Sequence, residues 1–495
     1  MAYTLPTQFE APATLPEPTP DDLAALLAAQ RAAFFTDGPP SLEVRRNRID
    51  RLILMVTENA EAFSEAMNAD FGHRPGPFGR MSDIAGMLPD VQLTRSRLKA
   101  WMRPTKPIRC SALMGLASKV ERVPLGVVGI IGPWNFPLGL VVEPAAAAFA
   151  GGNNVMIKFS EVTGQTAALF VEKVAEYFDP TELVAVSGGP AVGTAFAALP
   201  LDHLFFTGSP KVGALVAEQA AKNLVPVTLE LGGKNPVVVN RNANVAKAAG
   251  RVMAGRLMNG GQVCLCPEMV FVPRESLQEF IDAASEQARK ISTADSGNVS
   301  IVNDANFNRL MSVLDDALSR GATIHETVPG TSPDASARCI QPLMVTGFDD
   351  SMMISHEELF GPILMVRAYD SIDEVIDYLA PRPSPLAAYW FGPKDKNFDA
   401  FTRKSRYGGM TVNDVGLHAA MPILPFGGVG QSGSGGYHGR HGFETFTHAR
   451  PVTTSRLPIS MGALATPPIG RRATQSIDSA LRRAARGAKR RLGRR

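Results

Sequence analysis

The stretch NGGQVCLCPE, residues 259–268, sets two cysteines one residue apart behind a pair of glycines, in a chain with four cysteines in all. Thiols at this spacing can ligate a metal, form a disulfide or attack a carbonyl carbon. A structural zinc site takes about four ligands, and Cys264-x-Cys266 supplies two, with no second cysteine pair and no histidine pair at helical spacing nearby. His438-x-x-His441 lies in the glycine-rich GGYHGRHGF without carboxylates, so no metal site is expected there either. A disulfide across one residue is strained and needs an oxidising compartment. Reactivity remains, set against the ordinary fate of a lone cysteine as a small buried hydrophobe.

FFTGSPKVG, residues 205–213, is the second chemical feature. A strand ends at Gly208 and a helix opens near Ser209, so free N–H groups and the helix dipole can face a pyrophosphate, while Gly213 lets the helix approach. A plain βα turn is the alternative. Gly428-Val-Gly430-Gln-Ser-Gly433 fits a dinucleotide fingerprint letter by letter. It follows LPF rather than a strand and runs into more glycines, so it reads as a tight loop.

The elements that must position these residues are legible in outline. A chain of 495 residues, 45% hydrophobic, can hold two or three domains of about 150 residues. Scattered cysteines and the lack of a leader imply a cytoplasmic protein. The apolar run VPLGVVGIIGPWNFPLGLVVEP from Val123 is too broken by proline and glycine to span a membrane. Residues 1–18 read as a flexible lead-in rich in proline. In TPDDLAALLAAQRAAFF, Thr19 can cap a helix, Pro20 suits its first position, Asp21 and Asp22 complement its dipole, and Leu23, Leu26, Leu27 and Phe34 share a face. A further helical run is expected from Ser41 through about Met67. From residue 154, NVMIKFS, ELVAVSGG, LDHLFFTG and PVTLELGG alternate with helical segments, which implies right-handed βαβ crossovers and a parallel sheet. After NPVVVN a second βα-rich region runs to about Asn413, followed by a glycine-rich stretch.

VTLELGGKNPVVV, NGGQVCLCPE, GPWNFP upstream and EELFGPI downstream, in that order and spacing, resemble the aldehyde dehydrogenase superfamily over roughly residues 20–455. VNDV at 412–415, LPFGGVGQSGSGGYHG at 424–439 and FETFTH at 443–448 are similar to its class 3, fatty-aldehyde and coniferyl-aldehyde branch. ADFGHRPG and LKAWMRP resemble the bacterial coniferyl-aldehyde members in particular. The resemblance implies an α/β fold with a Rossmann-like cofactor domain (residues 1–102 and 125–230), an α/β catalytic domain (231–412) and a small arm (103–124 and 413–458) that builds homodimers.

It also implies roles. Cys264 is the nucleophile, Glu230 the general base, and Asn135 the side-chain oxyanion donor beside the Cys264 main-chain N–H. Lys158 and Glu161 hold the adenosine ribose, Gly208, Ser209 and Gly213 face the pyrophosphate, and Glu358 and Phe360 attend the nicotinamide ribose. NAD is the expected cofactor, because a carboxylate near the ribose repels a 2′-phosphate, with NADP also admitted by that branch. Phe159 departs from the usual proline there, and Cys266 from the usual small residue. Cys266 is expected as a packed side chain, with a resolving thiol as the alternative. The expected substrate is an aldehyde, aromatic or medium- to long-chain. The alternatives are a CoA-acylating semialdehyde dehydrogenase and a non-catalytic binding protein with a membrane-associating tail.

That tail, residues 459–495, stands apart. Residues 471–495 hold ten Arg/Lys against one Asp, so the net charge of +3 leaves about −6 on everything before them. Such a run is most simply a solvated, flexible chain; if helical, it can lie weakly on an anionic membrane. Without interleaved aromatics it does not read as a nucleic-acid binder.

Overall fold

The computed structural model describes residues 16–106, 115–292, 298–456, 460, 462 and 466–493; Cys110 and the lead-in up to residue 15 lie outside them. The chain divides into two compact units, residues 1–102 with 122–448 and residues 103–121 with 449–495.

In the first unit the opening helix is Pro20–Asp37, closed by a reciprocal cap between Thr19 and Asp22, with Leu23 and Leu27 buried. The helical run expected from Ser41 to Met67 is two helices, Leu42–Glu58 and Ala60–Phe71. Asn59 separates them because its side-chain amide donates to the Met55 carbonyl at 2.8 Å, a local bond that competes with the helical ladder.

A six-stranded sheet follows. Its order is Gly433–Ser434, Val227–Leu231, His203–Gly208, Val127–Ile131, Asn154–Phe159, Leu183–Ser187, with all but the two-residue edge strand parallel. Each strand read from the sequence is present, and Val127–Ile131 is added at the centre. The chain leaves this strand in one direction and later returns on its other side, so a crevice opens beyond the carboxyl ends of Val127–Ile131 and His203–Gly208.

The second sheet runs Gly409–Val412, Ala387–Phe391, Pro236–Val239, Met269–Pro273, Ile363–Tyr369, Leu343–Thr346, Thr323–Glu326, parallel except for the last pairing. Its central strands are covered on both faces, which is why Pro236–Val239, Met269–Pro273 and Ala387–Phe391 read as unbroken apolar runs. Val237 and Val239 enter the core on one face and Val238 the core on the other.

Most of a two-stranded ribbon, Leu116–Pro124 with Thr447–Ser455, belongs to the second unit, and its residues are mostly exposed or half-buried. This unit also contains a helix, Arg471–Arg491, with no buried residue. The described part of the charge run is thus a solvent-exposed helix rather than an extended chain: its alanines and arginines are strong helix formers. Among the described residues no helix is long and apolar enough to cross a membrane.

Candidate active site

The carboxyl ends of the first sheet meet the loops that enter the second across a cavity of about 1560 Å³, lined by Asn135, Lys158, Glu161, Gly208, Ser209, Glu230, Cys264, Glu358 and Phe360. Nine of the ten residues singled out from the sequence thus face one space. The tenth, Gly213, lies behind it, where a Cβ would come within 2.7 Å of Leu231, so glycine is what lets its helix seat against the sheet.

Cys264 reaches the cavity through an unusual turn. The helix Val245–Leu257 ends, and Asn259, Gly260 and Gly261 follow with φ of 51°, 63° and 79°. That left-handed run is cheap for glycine and admissible for asparagine. A Cβ on Gly261 would collide with the Gly361 carbonyl. Gln262 anchors the turn by donating to the carbonyls of Asn259 (2.9 Å) and Ser300 (3.1 Å) and accepting from Val302 N–H (3.0 Å). Asn235 donates to the carbonyls of Cys264 at 2.6 Å and Cys266 at 3.0 Å. Burial pushes the Cys264 thiol up, and the charges of Glu358 and Glu230 push it further, so the resting group is a neutral thiol. Cys266 is buried with its sulfur 3.3 Å from the Gly255 carbonyl, and burial raises its pKa to about 12. It is a packed side chain with an S–H donor.

Glu230 sits in strand Val227–Leu231 with 3% exposure, and neither carboxylate oxygen has a hydrogen-bond partner among the described residues. Burial alone holds its pKa well above the ordinary carboxylate value. An acid left so unpartnered in a protein interior is costly unless a proton or a ligand is to meet it there.

Asn135 follows strand Val127–Ile131 and is buried, its side-chain amide donating to the Gln262 carbonyl at 3.1 Å while its own carbonyl accepts from Asn259 at 3.1 Å. Lys158 is buried and reaches Glu161 at 3.2 Å, whose carboxylate remains largely in solvent. Ser209 caps helix Pro210–Ala221, whose N-terminus opens on the cavity. Glu358 packs on Gly232, where any Cβ would collide with its carboxylate; burial and the nearby Glu268 raise its pKa to about 8. Phe360 holds a left-handed φ of 52° and packs edge-on against Trp134 at 5.3 Å.

Sequence reasoning missed a buried charge cluster beneath these groups. Glu268 accepts from Lys234 at 2.7 Å and lies 3.3 Å from Arg256, while Lys234 also donates to the Glu357 carbonyl at 2.6 Å. Glu268 also takes the Leu359 N–H at 2.8 Å, so it ties the loop of Glu358 and Phe360 to the loop of Cys264. Burial would raise its pKa, but Lys234 and Arg256 outweigh burial and keep it ionised. Both Lys234 and Glu268 lie in the stretches LELGGK and CLCPE. The signal that could have found them was an acid and a base inside otherwise apolar motifs.

The glycine-rich 428–433 segment is the tight loop expected of it: a Cβ at Gly428 would strike the Ser432 carbonyl, and Gly433 begins the edge strand beside Glu230.

Comparison with known proteins agrees with this architecture. A family described as the aldehyde dehydrogenase family matches residues 1–452. A coniferyl aldehyde dehydrogenase of a Pseudomonas species is 43% identical over 437 residues, covering 87% of this chain and 90% of that protein. A probable coniferyl aldehyde dehydrogenase of Caulobacter vibrioides is 40% identical, covering 86% and 90%. Among solved structures, the substrate-bound state of Staphylococcus aureus AldH has a TM-score of 0.86 at 32% identity, covering 92% of this chain and 99% of that one. Aldehyde dehydrogenase C of Pseudomonas syringae, in complex with NAD+ and octanal, has a TM-score of 0.80 at 29% identity, covering 90% and 91%.

Proposed function

The chain belongs to the aldehyde dehydrogenase family, NAD(P)-dependent oxidoreductases, and from that premise we propose that it oxidises aromatic aldehydes of the coniferyl type, or medium- to long-chain aldehydes, to carboxylic acids through Cys264. One observation carries the reading: Asn135, Glu230 and Cys264, far apart in sequence, line one cavity in which the Glu230 carboxylate has no hydrogen-bond partner among the described residues.

The cavity fits a dinucleotide. Its volume exceeds the several hundred to roughly 1000 Å³ usual for one small ligand. The open N-terminus of Pro210–Ala221 suits a pyrophosphate. Lys158 and Glu161 would hold the adenosine ribose, and Glu358 and Phe360 the nicotinamide end. When bound, NAD(P) supplies the hydride acceptor that turns the Cys264 adduct into a thioester.

The chain's own residues do the rest. Glu230 takes the thiol proton, since a neutral thiol is a poor nucleophile, and Cys264 adds to the aldehyde carbon. The Asn135 amide turns from Gln262 to the developing oxyanion, with the Cys264 main-chain N–H as second donor. Once that first proton has been released to solvent, Glu230 takes a proton from water, which attacks the thioester, frees the acid and returns Cys264 as the leaving thiolate. Trp134, Phe360, Phe426 and Tyr437 give the wall an aromatic surface suited to an apolar aldehyde.

We read residues 1–102 and 125–230 as the cofactor domain, 231–412 as the catalytic domain, and 103–124 with 413–458 as an arm for a homodimer. A two-stranded ribbon is marginal by itself, so Leu116–Pro124 with Thr447–Ser455 gains from pairing with a second copy. The described cysteines are free thiols, which suits a reducing, cytoplasmic setting. Helix Arg471–Arg491, with Ile477 and Leu481 exposed among arginines, is suited to weak contact with an anionic membrane. Flotation with anionic liposomes, full length against a truncation at Thr466, tests that role; equal behaviour removes it.

The activity itself is tested by NAD and NADP reduction over cinnamyl, benzyl and straight-chain aldehydes, with Cys264→Ala as control. Turnover that survives Cys264→Ala removes the proposal.

A further inference from the structure

The stretch ADFGHRPG, residues 69–76, supplies no residue to the cavity wall among the described residues, yet it reaches the loop that carries Asn135. Arg74 lies near its end, with its guanidinium 2.6 Å from the Asp83 carboxylate, and neither side chain has any exposure. A buried pair of this kind adds little stability over apolar side chains of the same size, so its fixed geometry is the property to explain. Asp83 itself sits in a π-helical stretch, Arg80–Ala85, a rare geometry that occurs mostly at functional places.

The pair grips PWNFP, residues 133–137, from both sides of Asn135. The Arg74 guanidinium carbon lies 5.3 Å from the ring centre of Phe136 and 4.8 Å from that of Phe71, both within cation–π range. Phe71 in turn meets Trp134, the residue before Asn135, at 6.2 Å. On the far side, Asp83 Oδ1 accepts the N–H groups of Leu138 at 3.2 Å and Gly139 at 3.3 Å, where helix Gly139–Gly151 begins. Arg45 donates to the Ala150 and Gly151 carbonyls at the other end of that helix, at 2.9 and 2.8 Å. A buried anion at its start and a buried cation at its end both complement the helix dipole.

The same stretch is tied to the nucleophile's loop. The His73 carbonyl accepts the Ser300 N–H at 2.9 Å, the Ser300 carbonyl accepts the Gln262 side chain at 3.1 Å, and the Gln262 carbonyl accepts the Asn135 amide. These contacts close a ring from Arg74 through Phe136 and Asn135 and back through Gln262, Ser300 and His73. Turnover opens that ring at one bond, because the Asn135 amide must leave Gln262 to meet the oxyanion. The Asn135 carbonyl is still held by Asn259, and the residues on either side of it by Arg74 and Asp83.

We propose that the Arg74–Asp83 ion pair positions the oxyanion donor, keeping the Asn135 amide on aim while it exchanges Gln262 for the developing oxyanion. The proposal rests on the role assigned above to Asn135. Arg74 and Asp83 touch no reacting atom, and no bond is made or broken at either. They are positioning residues.

Asp83→Asn keeps an oxygen to accept from Leu138 and Gly139 and breaks the ion pair. In full-length protein we expect kcat with a good aldehyde to fall by about tenfold or more, with aldehyde and cofactor KM changed by less than about threefold, since a small misplacement of a catalytic group is costly. In an Asn135→Ala background the same substitution should cost less than about twofold, because the donor that it aims is already gone. Wild-type kcat in Asp83→Asn overturns the proposal. So does an equal loss in both backgrounds, which is what a general weakening of the fold would give. Should Asp83→Asn fail to fold, Phe136→Leu decides the question: it leaves the pair intact and removes the ring on which Arg74 rests, and a kcat within about twofold of wild type overturns the proposal. A loss below about fivefold in Asn135→Ala alone removes the donor role and the positioning role together. A full loss there beside an indifferent Asp83→Asn removes the positioning role alone.

Discussion

The Asn135 side-chain amide sits 3.1 Å from the main-chain oxygen of Gln262, two residues before Cys264. The proposed oxyanion donor is thus held, in the cofactor-free protein, by the loop that carries the nucleophile. Asn135→Ala removes both the tether and the donor. We expect kcat to fall by roughly 10²–10³-fold with a small change in KM, as for other single oxyanion donors; steady-state kinetics with a good aldehyde will check this, and a loss under fivefold contradicts the assignment.

Glu230→Gln keeps shape and removes the base. Hydrolysis should slow by about 10²–10⁴-fold while the thioester on Cys264 accumulates. Mass spectrometry of the protein quenched during turnover reads the adduct directly.

The pH dependence follows from the sign of the shift at Glu230. Burial raises its pKa, so its basic form is scarce at low pH and grows as pH rises. The rate of the hydrolytic step should therefore increase with pH through a midpoint above the ordinary glutamate value. A flat profile down to about pH 5 would show that the carboxyl is not so perturbed.

Glu358 acts on Cys264 by charge. Negative charge at Glu358 raises the thiol pKa, second only to burial. Glu358→Gln should move the midpoint of Cys264 alkylation by iodoacetamide to lower pH in cofactor-free protein, without bringing it down to that of a free thiol, because burial remains. An unmoved midpoint excludes the coupling.

The Lys234–Glu268–Arg256 cluster is nearly solvent-free, with side-chain exposures of 16%, 3% and 0%. Glu268→Gln strands two cations, and removing one partner of a buried pair costs about 3–5 kcal/mol. Thermal unfolding should register that loss, together with weaker cofactor binding, because the Glu358 loop loses its tie at Leu359.

Much of this architecture was written locally in the chain, and the remainder was not. Thr19, Pro20 and Asp22 announce their helix because capping is decided within four residues. The strands from Asn154 to Leu231 show themselves by alternation with helices. Val127–Ile131 does not, because a central strand covered on both faces is a short apolar run with no period to read. The residues lining the cavity were named through ordered motifs. Tyr437 and Glu143, 294 positions apart, carry no mutual signal until the fold joins them. Glu268 was in plain view, but its partners lie 12 and 34 residues away on other elements. The break at Asn59 turned on one side-chain bond that no hydrophobic pattern encodes.

The left-handed turn at Asn259, Gly260 and Gly261 also bears on how this catalyst can be re-engineered. A library aimed at new aldehydes can vary Trp134, Phe360 and Phe426, whose side chains form the wall. Position 261 offers no such freedom: even one methyl group would land on the Gly361 backbone, which has no side chain to swing aside. Selection there should return glycine alone, while diversity collects on the aromatic wall.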